Sequence, residues 1–143
     1  MKEIKTEITI QASQEQVWQI LTDLEKYPSW NPFIISSKGT INLGSKLTNV
    51  LMVGGKERTF TPKITELTPG ASFAWLGKLP LGLFTGNHYF MLEDLGNGST
   101  RLVHGERFGG LLRGMIMRKI GNETKRGFIA MNEALKVRAE QQA

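Results

Sequence analysis

Between Ile34 and Phe108 the apolar residues come in short runs, each closed by a turn signal: Asn42-Leu43-Gly44, Gly54-Gly55-Lys56, Thr68-Pro69-Gly70 and Gly96-Asn97-Gly98. Glycine takes the left-handed backbone that such turns need, and proline and asparagine favour their corners. Short β-type runs separated in this way form a meander of antiparallel strands. At Leu111 the period changes, and Leu112, Ile116, Ile120, Phe128, Met131 and Leu135 recur near one helix face. This order reads as α+β and not as βαβ units. One thin helix covers a broad sheet only if the sheet curls around it.

Ile4, Thr6, Ile8 and Ile10 alternate with polar residues and predict a first strand with one buried face. Ser13 and Gln16 have capping-box spacing ahead of Val17, Trp18, Ile20, Leu21 and Leu24, which predicts a helix from about Gln14 to about Leu24. The two prolines of Tyr27-Pro28-Ser29-Trp30-Asn31-Pro32-Phe33 break any helix there. Further strands are expected at about Ile34–Ile41, Lys46–Val53, Glu57–Leu67, Ser72–Leu76, Gly86–Asp94 and Thr100–Phe108, seven in all. A helix from about Leu111 to about Gln141 would be ~45 Å long. Gly114, Gly121 and Gly127 each cost it about 1 kcal/mol relative to alanine. Either the helix proper begins near Asn122, or the glycines give backbone room for a sheet or ligand.

The chain of 143 residues is sized for one domain spanning 1–143, and 40% hydrophobic with 22% charged residues is ordinary globular composition. Absence of cysteine excludes disulfides, thiolate nucleophiles and Cys-based zinc sites. The charged, alternating start MKEIKTEITI lacks the apolar core of a signal peptide, and the expected location is cytoplasmic. Of the net charge of +5, about +4 lies between Leu111 and Ala143, where seven basic residues meet three acidic ones. A solvated helix face accounts for that excess. The sharper alternative is docking of the basic helix to anionic lipid or RNA, and of these a membrane surface is the expected partner and nucleic acid is not.

His88 shares a strand face with Phe90 and Leu92, and His104 shares one with Leu102, Glu106 and Phe108. Turned inward, two imidazoles and a carboxylate form a candidate catalytic set, His88, His104 and Glu106, because histidine exchanges protons near neutral pH. The plainer reading is a buried polar network that satisfies itself. These side chains are also of the right type for iron or zinc, yet polar pockets are far commoner than metal sites. Neither a metal nor a cofactor is expected, and no nucleotide or phosphate-binding glycine loop is present. The arrangement depends on the hairpin at Gly96-Asn97-Gly98. A two-residue Asn97-Gly98 turn would set His88 opposite Arg107, whereas a three-residue loop sets His88 opposite Glu106 and aligns both apolar faces. The three-residue loop is the expectation.

This order of elements resembles the START/polyketide cyclase (SRPBCC) superfamily, in its small bacterial polyketide cyclase/lipid-transport-like branch. The likeness rests on Ala12-Ser13-Gln14-Glu15-Gln16-Val17-Trp18, the Tyr27–Phe33 loop, Thr100-Arg101-Leu102-Val103-His104-Gly105-Glu106, Gly127-Phe128 and Met131-Asn132-Glu133-Ala134-Leu135-Lys136. It implies a helix-grip fold: a seven-stranded curved antiparallel sheet around the C-terminal helix, with short helices after the first strand and a deep cavity. It also implies that the Trp30 loop lies near that cavity. Candidate ligand-binding residues are Trp30, Asn31, Phe33, Trp75, Leu83, Phe84, Phe90, Phe108, Leu112, Ile116 and Phe128. The Trp30 loop and the apolar Leu79–Phe84 segment are expected to border one pocket, although such greasy segments also suit a homodimer contact or a membrane surface. Three readings follow: a binder of a small hydrophobic molecule, which is preferred; a cyclase or dehydratase-type enzyme; and a module that docks a protein, ribosome or anionic membrane.

Overall fold

The computed structural model describes residues 2–142. The first strand, β1 (Glu3–Ile10), buries Ile4, Thr6 and Ile10 on one face, as the alternation predicts. Ser13 caps the following helix α1 (Gln14–Thr22), its hydroxyl accepting from the Gln16 amide at 3.2 Å. This helix ends slightly earlier than expected, and a 3-10 helix over Leu24–Ser29 carries the chain into the proline-rich loop.

Eight strands form instead of seven. The run expected as one strand over Glu57–Leu67 is two, β4 (Lys56–Phe60) and β5 (Lys63–Thr68), interrupted at Thr61-Pro62. Proline has no amide hydrogen for a ladder, and here it marks where the chain leaves one sheet for another. β4 closes a three-stranded sheet with β2 (Ile34–Lys38) and β3 (Thr48–Val53), in the order β2-β3-β4. β5 is the edge of a five-stranded sheet with β6 (Ser72–Lys78), β7 (Thr85–Asp94) and β8 (Thr100–Gly109), in the order β1-β8-β7-β6-β5. The sheets meet at a bridge between Lys46 and Lys63, beside bonds from the Leu47 amide to the Pro62 carbonyl at 2.9 Å and from the Ile64 amide to the Ser45 carbonyl at 2.8 Å. Register shifts at Ile34/Ser36 and Ile64/Glu66 bend the strands, so the two sheets curve together.

The β7–β8 hairpin takes the three-residue loop. The Leu95 amide donates to the Ser99 carbonyl at 3.0 Å, and Gly96 and Gly98 both have a φ of +82°. Leu92 therefore faces Leu102, Phe90 faces His104, and His88 faces Glu106.

The C-terminal helix α2 (Arg113–Gln142) is continuous through all three glycines, so the start near Asn122 is not what forms. Its 30 residues span ~45 Å. Its later half buries Phe128, Met131, Leu135 and Ala139 against the sheet. Burial of the three larger side chains contributes roughly 1.5–3 kcal/mol each. In the earlier half, Ile116 and Ile120 are only half-buried, because they roof a space and do not fill it. No helix among the described residues is long and apolar enough to cross a membrane.

Candidate functional site

The space under α2 is a cavity of about 390 Å³ between the helix, the three-stranded sheet and the ends of β6, β7 and β8. Of the side chains expected to bind a ligand, Phe33, Trp75, Phe84, Phe108 and Ile116 line it. His88 and Glu106 line it too. The buried members Phe33, Trp75, His88 and Phe108 form its inner wall, and exposed Arg58, Phe60, Lys78, Leu79 and Lys119 mark its mouth.

Register places the polar part of that wall. His88 on β7 is paired with Glu106 on β8, and its Nδ1 lies 3.4 Å from Glu106 Oε1. Gly86, two residues before His88 on the same strand, leaves room for this carboxylate, since a Cβ there would overlap Glu106 Oε2. Behind His88 the polar chain continues inward. His88 Nε2 is 2.7 Å from His104 Nε2, His104 Nδ1 is 2.8 Å from Asn132 Oδ1, and Asn132 Nδ2 donates to Thr6 Oγ1 at 2.8 Å. The Thr6 hydroxyl donates in turn to the His104 carbonyl at 2.7 Å.

Aromatic rings enclose the two imidazoles. His104 stacks on Phe128, with centroids 4.2 Å apart, and on Phe90 at 4.4 Å. Trp75 lies 5.0 Å from His88. Burial is the main reason that the His104 imidazole titrates well below the usual histidine range; the neighbouring His88 pushes the same way, and the Asn132 hydrogen bond opposes both.

Several expected residues lie elsewhere. His104 does not line the cavity but sits beneath His88, fully buried. Phe90 and Phe128 are in that same inner layer, because an inward direction on a strand or helix does not set depth. Leu83 and Leu112 form the junction of the Leu79–Phe84 loop with α2, where the Leu112 amide donates to the Leu83 carbonyl at 2.8 Å. Trp30 packs edge-on to Tyr27, with centroids 5.2 Å apart, and borders a separate polar groove with Asp23 and Arg138. Asn31 is a local cap: its Oδ1 accepts from the Phe33 and Ile34 amides at 2.9 and 2.8 Å. The aromatic loop therefore reaches the cavity through Phe33 and not through Trp30, and Leu79 and Phe84 line the same cavity.

The sequence reading missed the walls supplied by β3, β4 and the middle of α2. Asn49, Leu51 and Val53 share one parity on β3, which is a usable signal. Arg58 and Phe60 lie on an exposed strand and reach the mouth only because the sheet turns at Pro62. Lys119, Ile120 and Thr124 follow Ile116 along the helix face over the cavity. Arg58, Lys78 and Lys119 take part in no ion pair among the described residues.

A curved antiparallel sheet that grips a long helix over an apolar cavity defines a helix-grip fold. The chain belongs to the polyketide cyclase / dehydrase and lipid transport family, whose model matches residues 1–140. Among solved structures it is similar to a START superfamily protein from Mycobacterium smegmatis, with 21% identity, full coverage of both chains and a TM-score of 0.77. It is also similar to the Zhui aromatase/cyclase from Streptomyces sp. R1128, at 17% identity over 99% of this chain and 94% of that one, with a TM-score of 0.79. A Mesorhizobium loti protein matches at 16% identity over 99% of both chains, with a TM-score of 0.78. At these identities the likeness is one of fold. No curated protein matches the chain in sequence.

Proposed function

We propose that this protein binds a small hydrophobic molecule of lipid, polyketide or aromatic type in the cavity beneath α2, with the ligand's polar group at the His88–Glu106 pair. The observation that carries this reading is a largely apolar cavity of about 390 Å³ with an imidazole and a carboxylate in contact on its wall. That volume suits a small ligand, and a few convergent polar groups on apolar walls are the usual way to fix one in place. Arg58, Lys78 and Lys119 make the potential at the mouth positive, which favours entry of ligands that carry negative charge wherever their polar group finally sits.

Trp75 on the wall is a built-in reporter. A long-chain fatty acid should quench tryptophan fluorescence, and native mass spectrometry should show a 1:1 complex. His88→Ala and Glu106→Gln should each weaken binding about tenfold or more, as loss of a hydrogen bond involving a charged group would, and Glu106→Gln, which keeps the side-chain volume, should do so with little change in melting temperature. A folded protein that takes up no apolar probe would refute the reading.

The His88–Glu106 contact also favours a second reading, an enzyme of cyclase or dehydratase type in which this pair transfers protons. The two separate in one assay. With a poly-β-ketone substrate, the enzyme reading requires turnover that His88→Ala abolishes, whereas a carrier leaves the substrate unchanged.

A further inference from the structure

The Leu79–Phe84 segment and the start of α2 together form a projecting tip beside the cavity mouth. Leu81 is 93% exposed, Leu111 85% and Met115 60%. This exposure is built and not a frayed end. The loop is closed by bonds from the Leu79 amide to the Phe84 carbonyl at 2.9 Å and from the Leu83 amide to the Pro80 carbonyl at 3.2 Å, and the Leu112 amide fastens it to α2 through the Leu83 carbonyl. Leu81 has a φ of +61°, the only non-glycine residue in the left-handed region among those described. A leucine held in a costly backbone conformation, pointing into water, is an arrangement that neither packing nor local preference explains.

We propose that this tip docks on an anionic lipid surface, Leu81, Leu111 and Met115 entering the interface while Arg113 and Arg118 meet the headgroups. Charge complementarity selects this partner: no aspartate or glutamate occurs from Gly77 to Leu92 or from Arg107 to Asn122, so nothing on either segment repels an anionic surface. Leu79, two residues from Leu81 on the same loop, lines the cavity and is itself 42% exposed, so apolar side chains of this loop stand at both the tip and the mouth. An apolar ligand could pass between bilayer and cavity along that path. The test is co-sedimentation with vesicles of phosphatidylcholine containing phosphatidylglycerol. The intact protein should bind at low salt and dissociate as salt rises, with much weaker binding to pure phosphatidylcholine. Leu81→Ser with Leu111→Ser should reduce binding at least tenfold at an unchanged melting temperature. Arg113→Ser with Arg118→Ser should remove most of the salt dependence. No binding at low salt, equal binding by the leucine variant, or a dimer that the leucine variant dissolves would overturn the proposal.

A second inference rests on the buried polar chain and deepens the proposed role of His88. The Thr6 hydroxyl has one proton, and the His104 carbonyl takes it, so Thr6 Oγ1 accepts from Asn132 Nδ2. That orientation leaves Asn132 Oδ1 to accept from His104 Nδ1. A neutral His104 with its proton on Nδ1 has a bare Nε2, which can only accept, so the proton in the imidazole–imidazole bond belongs to His88 Nε2. The cavity side of His88 is then Nδ1, set against a carboxylate oxygen at 3.4 Å. A lone pair facing a carboxylate is repulsive. The geometry points to one proton shared between His88 Nδ1 and Glu106, with His104, Asn132 and Thr6 as positioning residues that fix which nitrogen of His88 meets the ligand.

Nitrogen-15 spectra of the histidine side chains test this in the ligand-free protein, so its outcome is separate from that of the ligand-binding reading. The expected pattern near pH 7 is a neutral His104 protonated on Nδ1 and a His88 protonated on Nε2. Asn132→Leu should return His104 to the Nε2–H form and leave His88 Nε2 bare, a change at a residue to which Asn132 makes no hydrogen bond. Thr6→Val should act like Asn132→Leu, and Thr6→Ser should behave as the parent. A bare His88 Nε2 in the parent, or an unchanged His88 in a folded Asn132→Leu protein, would overturn the assignment.

Discussion

The ring of Phe33 lies where a Cβ on Gly127 would stand. The contact joins the aromatic loop to α2 at the cavity wall, with Phe33 held on its other sides by Phe128, at 5.3 Å, and by His88. Alanine in a helix is worth about 1 kcal/mol over glycine, whereas overpacking a fixed ring costs about 1–3 kcal/mol. Gly127→Ala should therefore lower the melting temperature and shrink the cavity by displacing Phe33. Gly114, in the first turn of the same helix, has open space around it. Gly114→Ala should raise the melting temperature, and the same sign for both substitutions would contradict this packing.

Met131 and Leu135 anchor the later half of α2, and both are essentially inaccessible to water. Replacing either with alanine should destabilise the protein by about 2–5 kcal/mol. Urea denaturation of Met131→Ala and Leu135→Ala measures this directly, and unchanged midpoints in both would mean that another face of the helix is buried.

The unpaired cations at the mouth predict a preference among ligands of equal length. Dodecanoate should bind more tightly than dodecanol, and the difference should shrink as salt is added. Because Arg58, Lys78 and Lys119 are exposed, each should contribute little: about a 2–5-fold loss of dodecanoate affinity for serine at any one position. Dodecanol binding should not change. Isothermal titration with both probes reads the two effects side by side.

His104 predicts a component of acid sensitivity. Burial, with His88 nearby, lowers its native pKa below the ordinary 6.5 against the pull of the Asn132 bond. Below about pH 6.5 the unfolded chain takes up a proton at this residue that the native state refuses, so stability present above that pH is lost as pH falls. One such proton contributes a slope of up to about 1.4 kcal/mol per pH unit. In His104→Gln the fall in stability from about pH 6.5 to about pH 5 should be shallower by that component, whatever the variant's stability at neutral pH.

Where one local rule decides the outcome, the sequence is enough. Alternation in β1, the capping spacing at Ser13 and the agreement of two apolar faces across the Gly96–Gly98 loop are all read within a few residues, and all appear in the fold. Pro62 is equally visible in the sequence, yet it falls within the strand expected over Glu57–Leu67, and the structure breaks the run there. What local pattern cannot supply is depth. Phe33, Phe90 and Phe128 are all aromatic and all face inward, yet of the three only Phe33 reaches the cavity, because the other two stack on His104 in the layer beneath His88. Arg58 and Phe60 gain their place at the mouth from sheet curvature, a property of several strands together.

The three-residue loop of the β7–β8 hairpin has a consequence for how this site can be lost. It lies about nine residues, or roughly 30 Å, along the strand from His88. Deleting or inserting a single residue there would slide the ladder by one place, so that Glu106 faced Asn87 or Tyr89 in place of His88. Every side chain of the pair would still be present in the gene product, and the pair itself would be gone. Across relatives of this chain, the length of that distant loop is therefore as informative as the identity of the histidine when asking whether the same chemistry has been inherited.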